Sequence, residues 1–222
     1  MDNSKGVLFH VRRIGRLLFY RLVQNFCRLI VAVCFSFRSE GQHHLEFDGG
    51  GMLLSTHQSL LDPVLVGLVC NRRLNYLARK TLFKNVLFAF LIRVLDAIEI
   101  DRERGGLAGL REMLKRLQGG GLVLMFPEGT RSPNGELGQL KPGFIPVARR
   151  AQVPLVPIAV VGAYDCLPRG TKLPTRRPIS VVIGEPIQSV EYLPLSDTQM
   201  IELLTMHLQR LHERGRRLNG NV

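Results

Sequence analysis

Apolar and polar positions along the chain switch between two spacings, and the switches mark a succession of strands and helices. Leu107, Leu110, Leu114 and Leu117 recur at three and four with charges between, which predicts a helix from Leu107 to Gln118. The glycine run 119–121 stops it. Ile201, Leu204, Leu208 and Leu211 repeat that spacing behind Ser196-Asp197-Thr198-Gln199, a capping box, so a late helix runs toward Arg214, Arg216 and Arg217. Shorter apolar runs bounded by Gly, Pro and Asp read as strands: His43 to Asp48, Met52 to Thr56, Leu74 to Ala78, Ala97 to Asp101, Leu122 to Phe126, Leu155 to Val161 and Ile179 to Ile183. Further helices are expected from Pro63 to about Cys70, after Arg79-Lys80-Thr81-Leu82-Phe83 through Leu91, and opened by Lys141-Pro142-Gly143, with Pro146 in the first turn. Strands alternating with helices predict an α/β fold, with a largely parallel central sheet flanked by helices.

The first forty residues depart from this pattern. Residues 6 to 38 are apolar but broken by Arg12, Arg13, Arg16, Arg21 and Arg28, and the longest uncharged run, Leu29 to Phe37, is far short of the ~20 residues that span a bilayer. At about 100° per residue, Arg13, Arg16, Arg21, Gln24 and Arg28 share one arc, interrupted by Leu17 and Tyr20. That is the design of an amphipathic helical arm lying in a membrane interface with arginines toward the headgroups. The alternative is an amphipathic helix packed on the protein's own core. A cleaved signal peptide fits less well, because Arg21 and Arg28 interrupt the apolar region and no small-residue cleavage site follows. The expected division is an N-terminal arm over 1–40 and one domain over 41–222.

Composition narrows the partners. The net charge of +12 calls for an anionic one: nucleic acid, anionic lipid or a phosphorylated substrate. With no Trp, four Tyr and no base-reading motif, nucleic acid is not expected. Cys27, Cys34, Cys70 and Cys166 form no CxxC pair and read as reduced thiols, and the adjacent His43-His44 point to opposite faces of a strand, so no metal site is expected.

The candidate chemistry lies at strand ends. His57 and Asp62 stand five apart between an expected strand and an expected helix, which is not a same-face helical spacing. His takes protons near neutral pH, and a carboxylate on its far nitrogen fixes the tautomer and steadies the imidazolium. Taken alone, Asp62 also suits a helix cap and His57 a plain loop residue. A second stretch, Phe126-Pro127-Glu128-Gly129-Thr130-Arg131-Ser132, follows a buried strand. Gly129 lets the backbone approach a ligand, Arg131 can fork onto a phosphate, and Glu128 can accept from substrate hydroxyls or pair with Arg131. Lys80 and Arg102 follow two other strands, so three cations could converge on one anion. Ser55, Ser59 and Cys166 are the candidates for a covalent acyl-enzyme, but no Gly-x-Ser-x-Gly elbow occurs.

Together these stretches resemble the lysophosphatidic acid acyltransferase family, the glycerolipid acyltransferases with a His-x4-Asp motif. The family's Asn-His-x4-Asp block is similar to Thr56-His57-x4-Asp62, with Thr in place of Asn; the Phe-Pro-Glu-Gly-Thr-Arg-Ser block is matched at every position of 126–132. Ile98 to Arg102 looks like the block of a strand ending in Arg, Val153 to Pro157 like the Val-Pro-x-x-Pro strand, and Arg79 to Phe83 like the lysine-bearing segment. The resemblance covers roughly residues 45 to 190.

The resemblance implies an acyltransferase domain that moves a fatty acyl group from acyl-CoA or acyl-carrier protein to the hydroxyl of lysophosphatidic acid, making phosphatidic acid. His57 would be the general base and Asp62 its orienting carboxylate. Glu128, Gly129 and Thr130 would shape the acceptor site, and Arg131 would bind the acceptor phosphate with Lys80 and Arg102 as helpers. No metal or organic cofactor is implied. The expected partners are anionic membrane lipids, a lysophospholipid acceptor and the acyl donor, and the expected place is the membrane surface, on its cytoplasmic face, as a peripheral protein. Glycerol 3-phosphate or a lyso-ornithine lipid is the alternative acceptor, and a non-catalytic anionic-lipid binder the alternative class.

Overall fold

The computed structural model describes residues 22–31, 35–79, 97–100, 107–171 and 173–220. Among them seven strands form one sheet: β1 (Phe37–Glu40), β2 (Gly51–Ser55), β3 (Leu74–Arg79), β4 (Ala97–Ile100), β5 (Leu122–Met125), β6 (Leu155–Val161) and β7 (Ile179–Ile183), in the spatial order β1-β7-β6-β2-β5-β3-β4. Every neighbour pairing is parallel except β6 with β7. Strands β2, β6 and β7 are buried at every position, as continuous apolar runs covered on both faces must be.

The helices are α1 (residues 22–31), α2 (Asp62–Val69), α3 (Leu107–Gln118), α4 (Ile145–Ala151, entered through the tight turn Pro142–Phe144), α5 (Ala163–Cys166), α6 (Ser189–Tyr192) and α7 (Asp197–Leu218). Successive strand side chains point to opposite faces. Leu53 therefore joins one apolar layer with Leu65 and Val66 of α2, while Met52 and Leu54 join the other with Met113 and Leu117 of α3 and Leu204 and Leu208 of α7. The predicted box at Ser196 is present, with Ser196 Oγ accepting from Gln199 N at 3.3 Å and Gln199 Oε1 accepting from Ser196 N at 2.8 Å. The buried line of α7 is Met200, Leu204, Leu208, His212 and Gly215, a fourfold row instead of the expected one through Ile201 and Leu211.

Three sequence expectations are corrected. The run from His43 to Asp48 is not a strand. Gly41, at φ +83, ends β1, and Gln42–Leu45 is a short 3-10 turn in which only Leu45 is buried. The strand of this region is Phe37–Glu40, within the stretch assigned to the arm, paired with β7 through Phe37↔Ile179. Asp62 is not the cap before α2 but its first residue, and its carboxylate points back into the preceding turn.

Third, Gln24 is buried against α2, and Arg28, though exposed, bends back to it. Gln24 Nε2 donates to Gly67 O at 2.7 Å and Cys70 O at 2.9 Å, and Arg28 Nε to Leu68 O at 2.8 Å. The last carbonyls of a helix have no partner within it, so the polar face of α1 turns to those of α2. Leu22, Phe26, Leu29 and Ile30 are left exposed on the other side. Among the described residues no helix is long and apolar enough to cross a membrane. The helix expected through Leu91, the arginines at 12, 13, 16 and 21, and the site candidates Lys80 and Arg102 lie outside the described residues.

Candidate active site

Strand β2 lies between β6 and β5, and the chain leaves all three at the same edge of the sheet. This carboxyl edge is where open α/β sheets bind ligands. Thr56 prolongs β2 by one residue: its Oγ1 donates to Val160 O at 3.2 Å and accepts from Val160 N at 2.9 Å. The Thr that stands where the resembled family has Asn thus ties the site to β6.

His57 comes next. Its Nδ1 lies 2.8 Å from Asp62 Oδ2, and the same oxygen accepts from the backbone N–H of Gln58 at 2.6 Å and of Ser59 at 2.8 Å. Asp62 is fully buried and the His57 side chain 19% exposed. A carboxylate only accepts, so Nδ1 carries the proton and Nε2 keeps its lone pair. The imidazole stacks on Phe126, with centroids 4.0 Å apart and planes 20° from parallel. Asp62 Oδ1 is buried with no partner among the described residues.

The turn after β5 holds His57 by its backbone. Glu128 Oε1 accepts from His57 N at 2.8 Å, Glu128 Oε2 from Gly138 N at 2.9 Å, and His57 O accepts from Ser132 N at 2.7 Å. Glu128 is buried, and desolvation pushes its carboxyl pKa above the ordinary range, partly offset by its two backbone donors. Both oxygens of Glu128 face backbone amides, and it forms no ion pair with Arg131. Gly129 sits at φ +71, where a side chain would be strained, and the Lys141 chain lies across it, its Cδ 3.3 Å from where a Cβ would stand. Thr130 is exposed. Arg131 is half-buried, one residue from the contact with His57, and its guanidinium has no hydrogen bond or ion pair among the described residues.

Sequence reasoning missed a polar bracket behind this turn. Gln58 Nε2 donates to Gly135 O, and Gln58 Oε1 accepts from Tyr164 N at 3.4 Å. His212 of α7 places Nε2 3.3 Å from Gln58 Nε2 and 3.2 Å from Gly135 O. One ring nitrogen cannot donate to the carbonyl and accept from the amide at once, so the tautomer selects the partner. Burial, aided by Arg216, lowers the His212 pKa and so favours the neutral ring. No local pattern marks Gln58, Gly138 or Lys141, and His212 reads only as one position of an amphipathic helix.

The candidates for a covalent route are otherwise occupied. The buried hydroxyls of Ser55 and Ser59 donate to Thr56 O and Leu167 O, both at 3.0 Å. Burial pushes the Cys166 thiol up to about 11.

An α/β sheet with a carboxylate-backed imidazole at its strand ends has the make-up of an enzyme that abstracts protons. The Acyltransferase family model matches residues 36–161, and the chain belongs to that family. It is 27% identical over 202 residues to the 1-acyl-sn-glycerol-3-phosphate acyltransferase of Bacillus subtilis, covering 90% of this chain and 98% of that protein. It is 31% identical over 173 residues to the enzyme of the same name from Pseudomonas aeruginosa, covering 73% of this chain and 65% of that one. The crystal structure of the 1-acyl-sn-glycerophosphate (LPA) acyltransferase PlsC from Thermotoga maritima shares the fold, with a TM-score of 0.77 at 24% identity over 93% of this chain and 86% of that one.

Proposed function

We propose that this chain acylates the free hydroxyl of lysophosphatidic acid, making phosphatidic acid, with acyl-CoA or acyl-carrier protein as donor. The observation that carries the reading is the imidazole of His57, with Nδ1 on Asp62 and Nε2 without a hydrogen bond among the described residues. The names of the relatives supply the acceptor.

A free alcohol is a poor nucleophile at neutral pH. His57 Nε2 takes the hydroxyl proton as the oxygen attacks the thioester carbonyl, help typically worth ~10²–10⁴ in rate. Asp62 stabilises the imidazolium. The tetrahedral adduct collapses by breaking the carbon–sulfur bond, and the proton leaves with the thiolate. Arg131 holds the acceptor phosphate with two parallel hydrogen bonds. Glu128 acts by holding His57 and the loop at Gly138, while Gly129 and Thr130 shape the acceptor site. Lys80 and Arg102 are proposed to assist Arg131. The route uses only these residues and the two substrates, with no metal or organic cofactor.

The apolar stripe of α1 is proposed to rest on the membrane surface, making the protein peripheral at the cytoplasmic face, with the residues ahead of β1 as the attachment arm and the acyltransferase domain beginning at β1. Purified protein supplied with lysophosphatidic acid and either donor is expected to yield phosphatidic acid by mass. His57→Ala should yield none while keeping its circular dichroism spectrum. Full transfer by that variant would remove the general base from the mechanism. Product formed only from glycerol 3-phosphate or a lyso-ornithine lipid would reassign the acceptor.

A further inference from the structure

The connection from α5 to β7 is pinned beside the catalytic turn. Strand β7 runs antiparallel to β6, so it begins at the edge of the sheet where β6 ends, and the segment joining them must sit at that edge. Ser59 Oγ, two residues from His57, donates to Leu167 O at 3.0 Å. Thr175 folds the segment back, its N donating to Cys166 O at 2.7 Å and its Oγ1 to Asp165 O at 2.9 Å. Beyond these anchors it projects outward, with Arg169, Arg176 and Arg177 all exposed. None of the three makes a side-chain hydrogen bond or ion pair among the described residues. The sequence has no Asp or Glu from Cys166 to Gly184, and the nearest acid, Asp165, lies at the root. Leu173 is the apolar exception on this cationic loop, and it is 81% exposed.

We propose that this loop is a second contact with the bilayer, separate from α1, that brings the catalytic turn down to headgroup level. Arg169, Arg176 and Arg177 meet anionic headgroups, and Leu173 enters the boundary between headgroups and acyl chains. Arginines flanking an apolar side chain are the chemistry of an interfacial segment on an anionic surface. Exposed Leu60, in the catalytic turn itself, adds apolar surface at the same edge. Continuity with the first contact favours a bilayer over a soluble partner: the loop ends at Pro178, and the next residue, Ile179, donates its N–H to Ser36 O, five residues past the described end of α1. The inference rests on a lysophospholipid acceptor, whose acyl chain stays in the bilayer while its hydroxyl must reach His57.

The test sediments the full chain with vesicles of phosphatidylcholine alone and with added phosphatidylglycerol. Near an anionic surface each Lys or Arg is worth about 1 kcal/mol, so Arg176→Gln with Arg177→Gln should lower partitioning onto anionic vesicles about 30-fold and barely change it on neutral ones. Leu173→Ser should lower it on both. The same variants should lose kcat/KM for long-chain lysophosphatidic acid in vesicles while keeping their KM for acyl-CoA with a water-soluble short-chain acceptor. Unchanged partitioning on both surfaces overturns the proposal. So does intact partitioning with a raised KM for acyl-CoA or acyl-carrier protein, which would give the loop to the donor. If the wild type acylates no lysophosphatidic acid at all, the proposed function fails, and sedimentation alone decides the loop.

Discussion

His57 is fixed at three places by residues from two elements. Asp62 holds the ring, Glu128 the backbone N–H and Ser132 the carbonyl. The charge and the hydrogen bonds of Asp62 can be separated. In Asp62→Asn the amide oxygen can accept from the same three donors, so the turn survives, but the imidazolium loses its counter-charge. Two unit charges ~4 Å apart at an effective dielectric of ~20 interact by about 4 kcal/mol, so kcat should fall on the order of 10³-fold with KM for both substrates near wild type, while the amide NH2, left in the buried place of Oδ1, costs about 1–3 kcal/mol of stability. A variant that lost stability in proportion to activity would show that Asp62 serves the turn and not the base.

At the scale of elements, α7 is the backstop of the site. Its His212 reaches the Gln58 bracket, and three residues later Gly215 lies against β6 and β7. Ser180 Oγ donates to Gly215 O at 2.9 Å, and a Cβ on Gly215 would stand 2.6 Å from Val161 Cγ2. Gly215→Val should therefore lift the helix off the sheet and destabilise the protein by about 1–3 kcal/mol, as overpacking does. Chemical denaturation measures the loss, and a midpoint equal to wild type would mean that the helix yields freely. The helices and strands were themselves largely legible. Leu107–Gln118 matches its leucine row, and Leu155–Val161 and Ile179–Ile183 match their apolar runs. Strand β1 was not, because Phe37–Glu40 has no pattern of its own and becomes a strand only by pairing with β7.

For the whole molecule, the orientation of α1 sets how the protein meets its surroundings. Because Gln24 and Arg28 reach the end of α2, the side of α1 turned away from α2 exposes Leu22, Phe26, Leu29 and Ile30. Changing Phe26 and Leu29 to Asp should weaken vesicle binding at least tenfold, since each buried Leu or Phe is worth about 1.5–3 kcal/mol. The thermal midpoint should hold, because neither side chain packs on the core. If the midpoint drops sharply and vesicle binding does not change, the stripe covers protein and not lipid.

The sequence by itself determined the chemistry available and the local elements. Residues 126–132, the His57–Asp62 spacing and the alternation of strands with helices are local, and local patterns are written in residue types. The tertiary structure alone decided which groups meet. It placed the Glu128 carboxylate on the His57 backbone, aimed Asp62 backward into its own turn, brought His212 to Gln58 across 154 positions, and turned Gln24 of α1 inward. Each of these follows from buried amides, carbonyls and carboxylates finding partners once the sheet had set their neighbours, and neither the spacing nor the composition of a single segment records which neighbours those are.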